Sequence, residues 1–196
     1  MINLREIEKN AYVSYHQDGL IEIMVGIYIL TTIGYYFLDM LWLSAVIIIL
    51  LTPVYTMAKR KFTVPRIGYA KFGKHGKFRR YFILSIFMGL FLVGLILGIL
   101  LSIDAIPGWV LIILENNISL LIGIVAAVLS LIMVINTGIK RFYLYSAFLL
   151  IVFIVGQVLK INFLILFIST GAFFTITGIV MLIHFVRKYP VAKEGA

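Results

Sequence analysis

Two carboxylates four residues apart, Asp18 and Glu22, open the first long apolar run of this sequence. That spacing puts both on one face of a helix. An ionisable group entering a membrane is costly, and it is therefore a candidate for function. Paired near the inner leaflet, the two could take a proton, a cation or a lipid ammonium, or meet the chain's own basic segment. The plainer alternative is local. Asp18 would then be an N-cap and Glu22 a first-turn residue, stabilised by the helix dipole and reaching interfacial water. His184 lies one turn before Arg187 and Lys188, at the end of the last apolar run. If the first and last runs are neighbours, it forms a carboxylate–imidazole pair with Glu22; otherwise it is a lone interfacial histidine.

Residues 59–80 are the most distinctive stretch. They hold Lys59, Arg60, Lys61, Arg66, Lys71, Lys74, Lys77, Arg79 and Arg80 and no acid. Phe62, Tyr69, Phe72 and Phe78 are interleaved, with Gly68, Gly73 and Gly76. A cation beside an anionic leaflet gains about 1 kcal/mol, and aromatic rings settle at headgroup depth. Glycines let backbone amides approach a phosphate. Arg60, Lys61, Arg66, Lys71, Lys74, Lys77, Arg79 and Arg80 are the candidate lipid- or phosphate-binding residues. The competing reading is that these charges only fix topology. Gly68, Gly73 and Lys74 match the spacing of a nucleotide-binding P-loop, but His75 stands where a Ser or Thr must ligate magnesium, and no βαβ unit surrounds it.

Other chemistry has little to stand on. Without cysteine there is no disulfide, thiol nucleophile or Cys–zinc site. No Gly-x-Ser-x-Gly elbow occurs, and a hydrolase built from Ser85 or Ser130 with His184 would join groups from unrelated places. The histidines and carboxylates lack metal-ligand spacing, so neither a metal nor a cofactor is expected. A non-enzymatic role is favoured. The last apolar run carries Ser169, Thr170, Gly171, Ala172, Thr175, Thr177 and Gly178, preceded by Gln157 and Asn162. Either the hydroxyls bond back to their own helix, or Asn162, Thr175 and Thr177 form the polar wall of a cavity.

These groups must be positioned by apolar elements. Of 196 residues, 63% are apolar and 13% charged, with a mean hydropathy of +1.12. Soluble domains carry roughly 45–50% and about 25%. Six stretches approach the ~20 residues needed to cross a hydrocarbon core: 20–38, 41–57, 81–101, 118–135, 142–159 and 163–186. The expected fold is thus an all-α polytopic membrane protein of six transmembrane helices. Residues 1–19 read as an interfacial helix and 20–58 as a hairpin broken near Asp39. Residues 59–80 read as a basic loop, 81–189 as the remaining four spans, and 190–196 as a tail. Residues 105–115, with Pro107 and Trp109, are either interfacial or re-entrant. Asn136-Thr-Gly138 reads as a helix stop, and Lys160-Ile-Asn162 as a charged turn with an N-cap.

Orientation follows from the cations. With this topology all Lys and Arg fall on one side except Lys160, which joins Asp39, Asp104 and Glu115 on the other. Both termini are therefore expected in the cytoplasm. The net charge of +9 is mainly topological, and no nucleic-acid partner is expected. The 81–101 run carries Gly94 and Gly98, a small-residue face suited to packing within the chain or to a homo-oligomer.

Two stretches, Asp18-Gly-Leu-Ile-Glu22-Ile-Met-Val-Gly26 and Thr63-Val-Pro-Arg-Ile-Gly-Tyr69, resemble segments of small, uncharacterised polytopic membrane proteins of prokaryotes. The resemblance implies a place in the inner membrane and no particular substrate. Two functions remain open. One is a module that engages anionic lipid or a membrane partner through residues 59–80. The other is a small-solute transporter, or the membrane-embedded binding subunit of one; an intramembrane lipid enzyme lacks a convergent acid/base set.

Overall fold

The computed structural model describes residues 15–40, 43–67 and 107–190. Among them the secondary structure is helical: α1 (Leu20–Phe37), α2 (Leu43–Ala58), a π-helical turn (Lys59–Thr63), α3 (Val64–Ile67), α4 (Gly108–Thr137), α5 (Arg141–Val158) and α6 (Phe163–Lys188). Four segments are long and apolar enough to cross a membrane: α1, residues 116–135 of α4, α5 and α6. Residues 1–14 of the expected 1–19 interfacial helix, the 81–101 span with Gly94 and Gly98, and residues 68–80 lie outside the described residues.

Where the chain stops its helices, the cause is local. At the end of α1 the Met40 N–H reaches the Tyr35 carbonyl (2.9 Å) and the Asp39 N–H reaches Tyr36 (3.2 Å). This is the paired bond pattern of a Schellman cap, with Asp39 in the left-handed position at φ 53°. Asp39 therefore ends α1, where the sequence suggested an N-cap for the next helix. Lys160 does the same after α5 at φ 51°, and the Asn162 side chain then accepts from Leu164 N (2.9 Å) to start α6. Gly138 closes α4 at φ 73°. A lysine pays a conformational penalty in that region which glycine escapes. Lys160→Gly is accordingly expected to raise stability by about 0.5–1 kcal/mol, read as a higher unfolding midpoint in detergent.

α4 runs without a break from Gly108 through the span that begins near Asn116. Residues 108–115 thus belong to the same helix as the span. Thirty residues rise about 45 Å, more than the ~30 Å of a hydrocarbon core.

The chain divides into two packed units: residues up to Lys71 together with Ile161 onward, and Phe72–Lys160. In the second, α4 lies on α5. Gly123 faces the Phe153 ring, and Ala127, Val134, Tyr145 and Leu149 fill the seam. Ser130 donates to the Phe142 carbonyl (3.0 Å), so its hydroxyl is used in packing the two helices. Gln157 Nε2 donates to the Asn116 carbonyl (2.9 Å) at the other end.

In the first unit α1 packs along α6 and also against α2. Gly19 lies against Gly178, and Gly26 against Gly171 and Thr175. Both glycine pairs are seven residues apart, two helical turns, so the antiparallel helices meet at matching points. Lipid tails are as apolar as leucine and give no hydrophobic drive for association. Close approach at small residues supplies dispersion contact in its place. The hydroxyls of Thr170 and Thr175 bond back to Leu166 O (2.7 Å) and Gly171 O (2.8 Å). Leu20, Ile33, Leu166, Phe174 and Phe185 complete the buried core.

Candidate functional site

The residues before α1, the π-helical turn after α2 and the last turns of α6 share one end of this unit. At the opposite end Tyr36 meets Phe163 edge-on (5.4 Å between ring centres) beside the Asp39 turn. The cationic end is built around Asp18, which is 0% exposed. Its Oδ2 accepts from Lys59 Nζ (2.7 Å) and from the Thr63 hydroxyl, and its Oδ1 accepts from Leu20 N (3.3 Å). Lys59 also donates to the Tyr15 carbonyl (2.5 Å) and lies 4.2 Å from the centre of the Tyr15 ring. The ammonium thus has a carboxylate, a carbonyl and an aromatic face around it. A buried ion pair is tolerable only when its remaining donors and lone pairs are satisfied in this way.

The local backbone places these partners. Pro65 has no N–H, and its ring crowds the carbonyl four residues earlier. The preceding ladder widens to a π turn, in which Val64 N bonds to Lys59 O. Lys59 and Thr63, at the two ends of that turn, both point inward and are buried. Arg60 and Lys61, between them, are exposed. Widened turns of this kind are concentrated at functional positions. Helix therefore continues to Ile67, and the first nine residues of the 59–80 segment are part of the folded unit.

Glu22 lies in the first turn of α1 and is also buried, at 1% exposure. Neither carboxylate reaches the surface water that the local reading offered them; Asp18 instead meets the first residue of the basic segment. Gly19 holds the N-cap position at φ 72°, with Asp18 one residue before it. The two stretches singled out by resemblance, 18–26 and 63–69, are thus joined through Asp18 and Thr63.

The other candidates fall in different places. Arg66 is half-buried, its Nη1 donating to Phe62 O (2.8 Å). Lys71, Lys74, Lys77, Arg79 and Arg80 lie outside the described residues. α1 and α6 are neighbours, but His184 is exposed, and among the described residues no hydrogen bond or ion pair joins it to Glu22. Thr175 sits in the α1–α6 seam, Thr177 is half-buried, and Asn162 caps α6. Among the described residues no group of His, Asp and Glu is arranged to hold a metal ion.

Lys59 and Thr63 were not distinguished by the sequence from their neighbours as partners of Asp18. The signal present was a pair of turn-forming features, Asp18-Gly19 and Thr63-Val-Pro65, each at the edge of an apolar run. Comparison with protein-family models, curated proteins and solved structures finds no match to this chain.

Proposed function

We propose that this chain is an integral protein of the cell (inner) membrane, with six spans and both termini in the cytoplasm. In this reading it engages anionic lipid headgroups through Arg60, Lys61, Arg66, Lys71, Lys74, Lys77, Arg79 and Arg80. The observation that carries the reading is the opposite treatment of adjacent cations. Lys59 is buried against Asp18, while Arg60 and Lys61 on the same turn are exposed. The ion pair pins the root of the basic segment to the end of the bundle where Arg187 and Lys188 also end α6. Cations held there sit beside a leaflet surface and keep their charge free for it. Topology alone would be served by fewer of them. Self-association through Gly94 and Gly98 is a further part of this proposal.

The test is lipid exchange around the purified protein. Neutralising Arg66, Lys71 and Lys74 together should abolish its preference for phosphatidylglycerol over phosphatidylcholine, by an amount that shrinks as salt is added. An unchanged preference in the triple variant sinks the proposal.

A further inference from the structure

A cleft of about 350 Å³ lies at the cationic end of the first unit, between the turn before α1 and the last three turns of α6. Its volume is within the range of small-molecule sites, roughly 300–1,000 Å³. Three polar residues are among those that line it: His184 and Lys188, one turn apart on α6, and Gln17 from the facing turn. Among the described residues no carboxylate lines it. The nearest acid in sequence to Gln17 is Asp18, whose charge is already balanced by Lys59. One turn before His184 the wall is apolar, formed by Val180 and Met181.

We propose that this cleft is a binding site for a single anionic phospholipid. Lys188 and His184 donate to the phosphodiester, Gln17 donates to the polar headgroup, and one acyl chain lies along Val180 and Met181. Depth supports a lipid over a soluble anion. The rim is set at the end of a helix long enough to span a bilayer, beside Tyr189, where aromatic rings mark headgroup level. A phosphate there is reached from within the leaflet, with its chain already pointing down the apolar wall. A free phosphate would meet the same cations but leave that wall bare. Lys188 stays near Tyr189, 5.4 Å from the ring centre, so its stem is held over the rim. The site is separate from Arg60, Lys61 and Arg66, and its fate is independent of theirs.

The full chain in phosphatidylcholine nanodiscs, doped with a photoactivatable phosphatidylglycerol, tests this directly. The label should be recovered on the peptide containing Val180–Tyr189. Unlabelled phosphatidylglycerol should compete, whereas inorganic phosphate and glycerol phosphate should not. The double variant Lys188→Gln with His184→Gln should cut labelling about tenfold, the scale of losing charge-assisted hydrogen bonds. Val180→Trp, at an exposed position, should cut it with the charges intact, and it decides the matter if the double variant does not fold. Variants of Arg66, Lys71 and Lys74 should leave labelling of this peptide unchanged. Equal labelling by a phosphatidylcholine probe, displacement by inorganic phosphate, or label confined to other peptides each overturns the assignment.

Discussion

Lys59→Ala is expected to lower the stability of the protein by about 3–5 kcal/mol, the cost of removing one member of a buried ion pair. The reason is what remains. Asp18 is 0% exposed and would keep a carboxylate with only the Thr63 hydroxyl and a backbone N–H to hold it. Asp18→Ala leaves the mirror problem, an ammonium 5% exposed and without its carboxylate, with the Tyr15 carbonyl and the Tyr15 and Tyr55 rings among its neighbours. The pair together is a different matter. A double variant, Asp18→Asn with Lys59→Met, replaces two charges by neutral groups of similar size and should recover most of the loss. Thr63→Val removes a donor but keeps the shape, and should cost about 1–2 kcal/mol. The measurement is denaturant unfolding in mixed micelles of Asp18→Asn, Lys59→Met and the double variant that combines them, read as a double-mutant cycle. If the losses of the two single variants simply add in the double, the groups do not share an interaction and the site described here is absent. A second readout follows from the position of the pair: Lys59→Ala should increase proteolytic cleavage within 59–67, because the root of the basic segment is released.

Gly26→Leu is expected to disrupt the α1–α6 seam, with a loss of about 1–3 kcal/mol or more. A Cβ placed on Gly26 would lie 2.5 Å from Thr175 N and 2.8 Å from Gly171 O. These are backbone atoms of a helix, and only movement of α6 as a whole makes room. The rest of the leucine side chain adds to the same conflict. Gly34, eight residues along α1, is the internal control: a Cβ there meets nothing within 4 Å. Gly34→Leu in the same apolar helix should leave the unfolding midpoint nearly unchanged. Equal effects at the two positions would mean that helix propensity, and not the seam, sets the outcome.

Four of the apolar runs appear as helices of spanning length, with ends close to those expected at Asp39, Gly138 and Asn162. They were legible because the cause is local. Hydrophobic runs of that length must satisfy their backbone internally, and turn residues at their edges end them. The α1–α6 seam was not legible in the same way. Gly94 and Gly98, which carry the familiar four-residue spacing, lie outside the described residues. The seam described here uses Gly19 with Gly26 and Gly171 with Gly178, whose matched intervals acquire meaning only when the two helices are known to lie side by side.

The amino-acid order by itself determined the all-helical, lipid-compatible character of the chain, its helix stops and the concentration of positive charge in a few segments. Each of these follows from neighbours within a few residues. Which cation would be spent on Asp18 was decided only in three dimensions. Lys59 and its neighbours Arg60 and Lys61 are all cations in the sequence, and a widened turn ahead of Pro65 directs one inward and leaves the others facing out. Charge is a property of composition; whether it is buried or free depends on what the folded chain packs against it, across an interval of 41 residues.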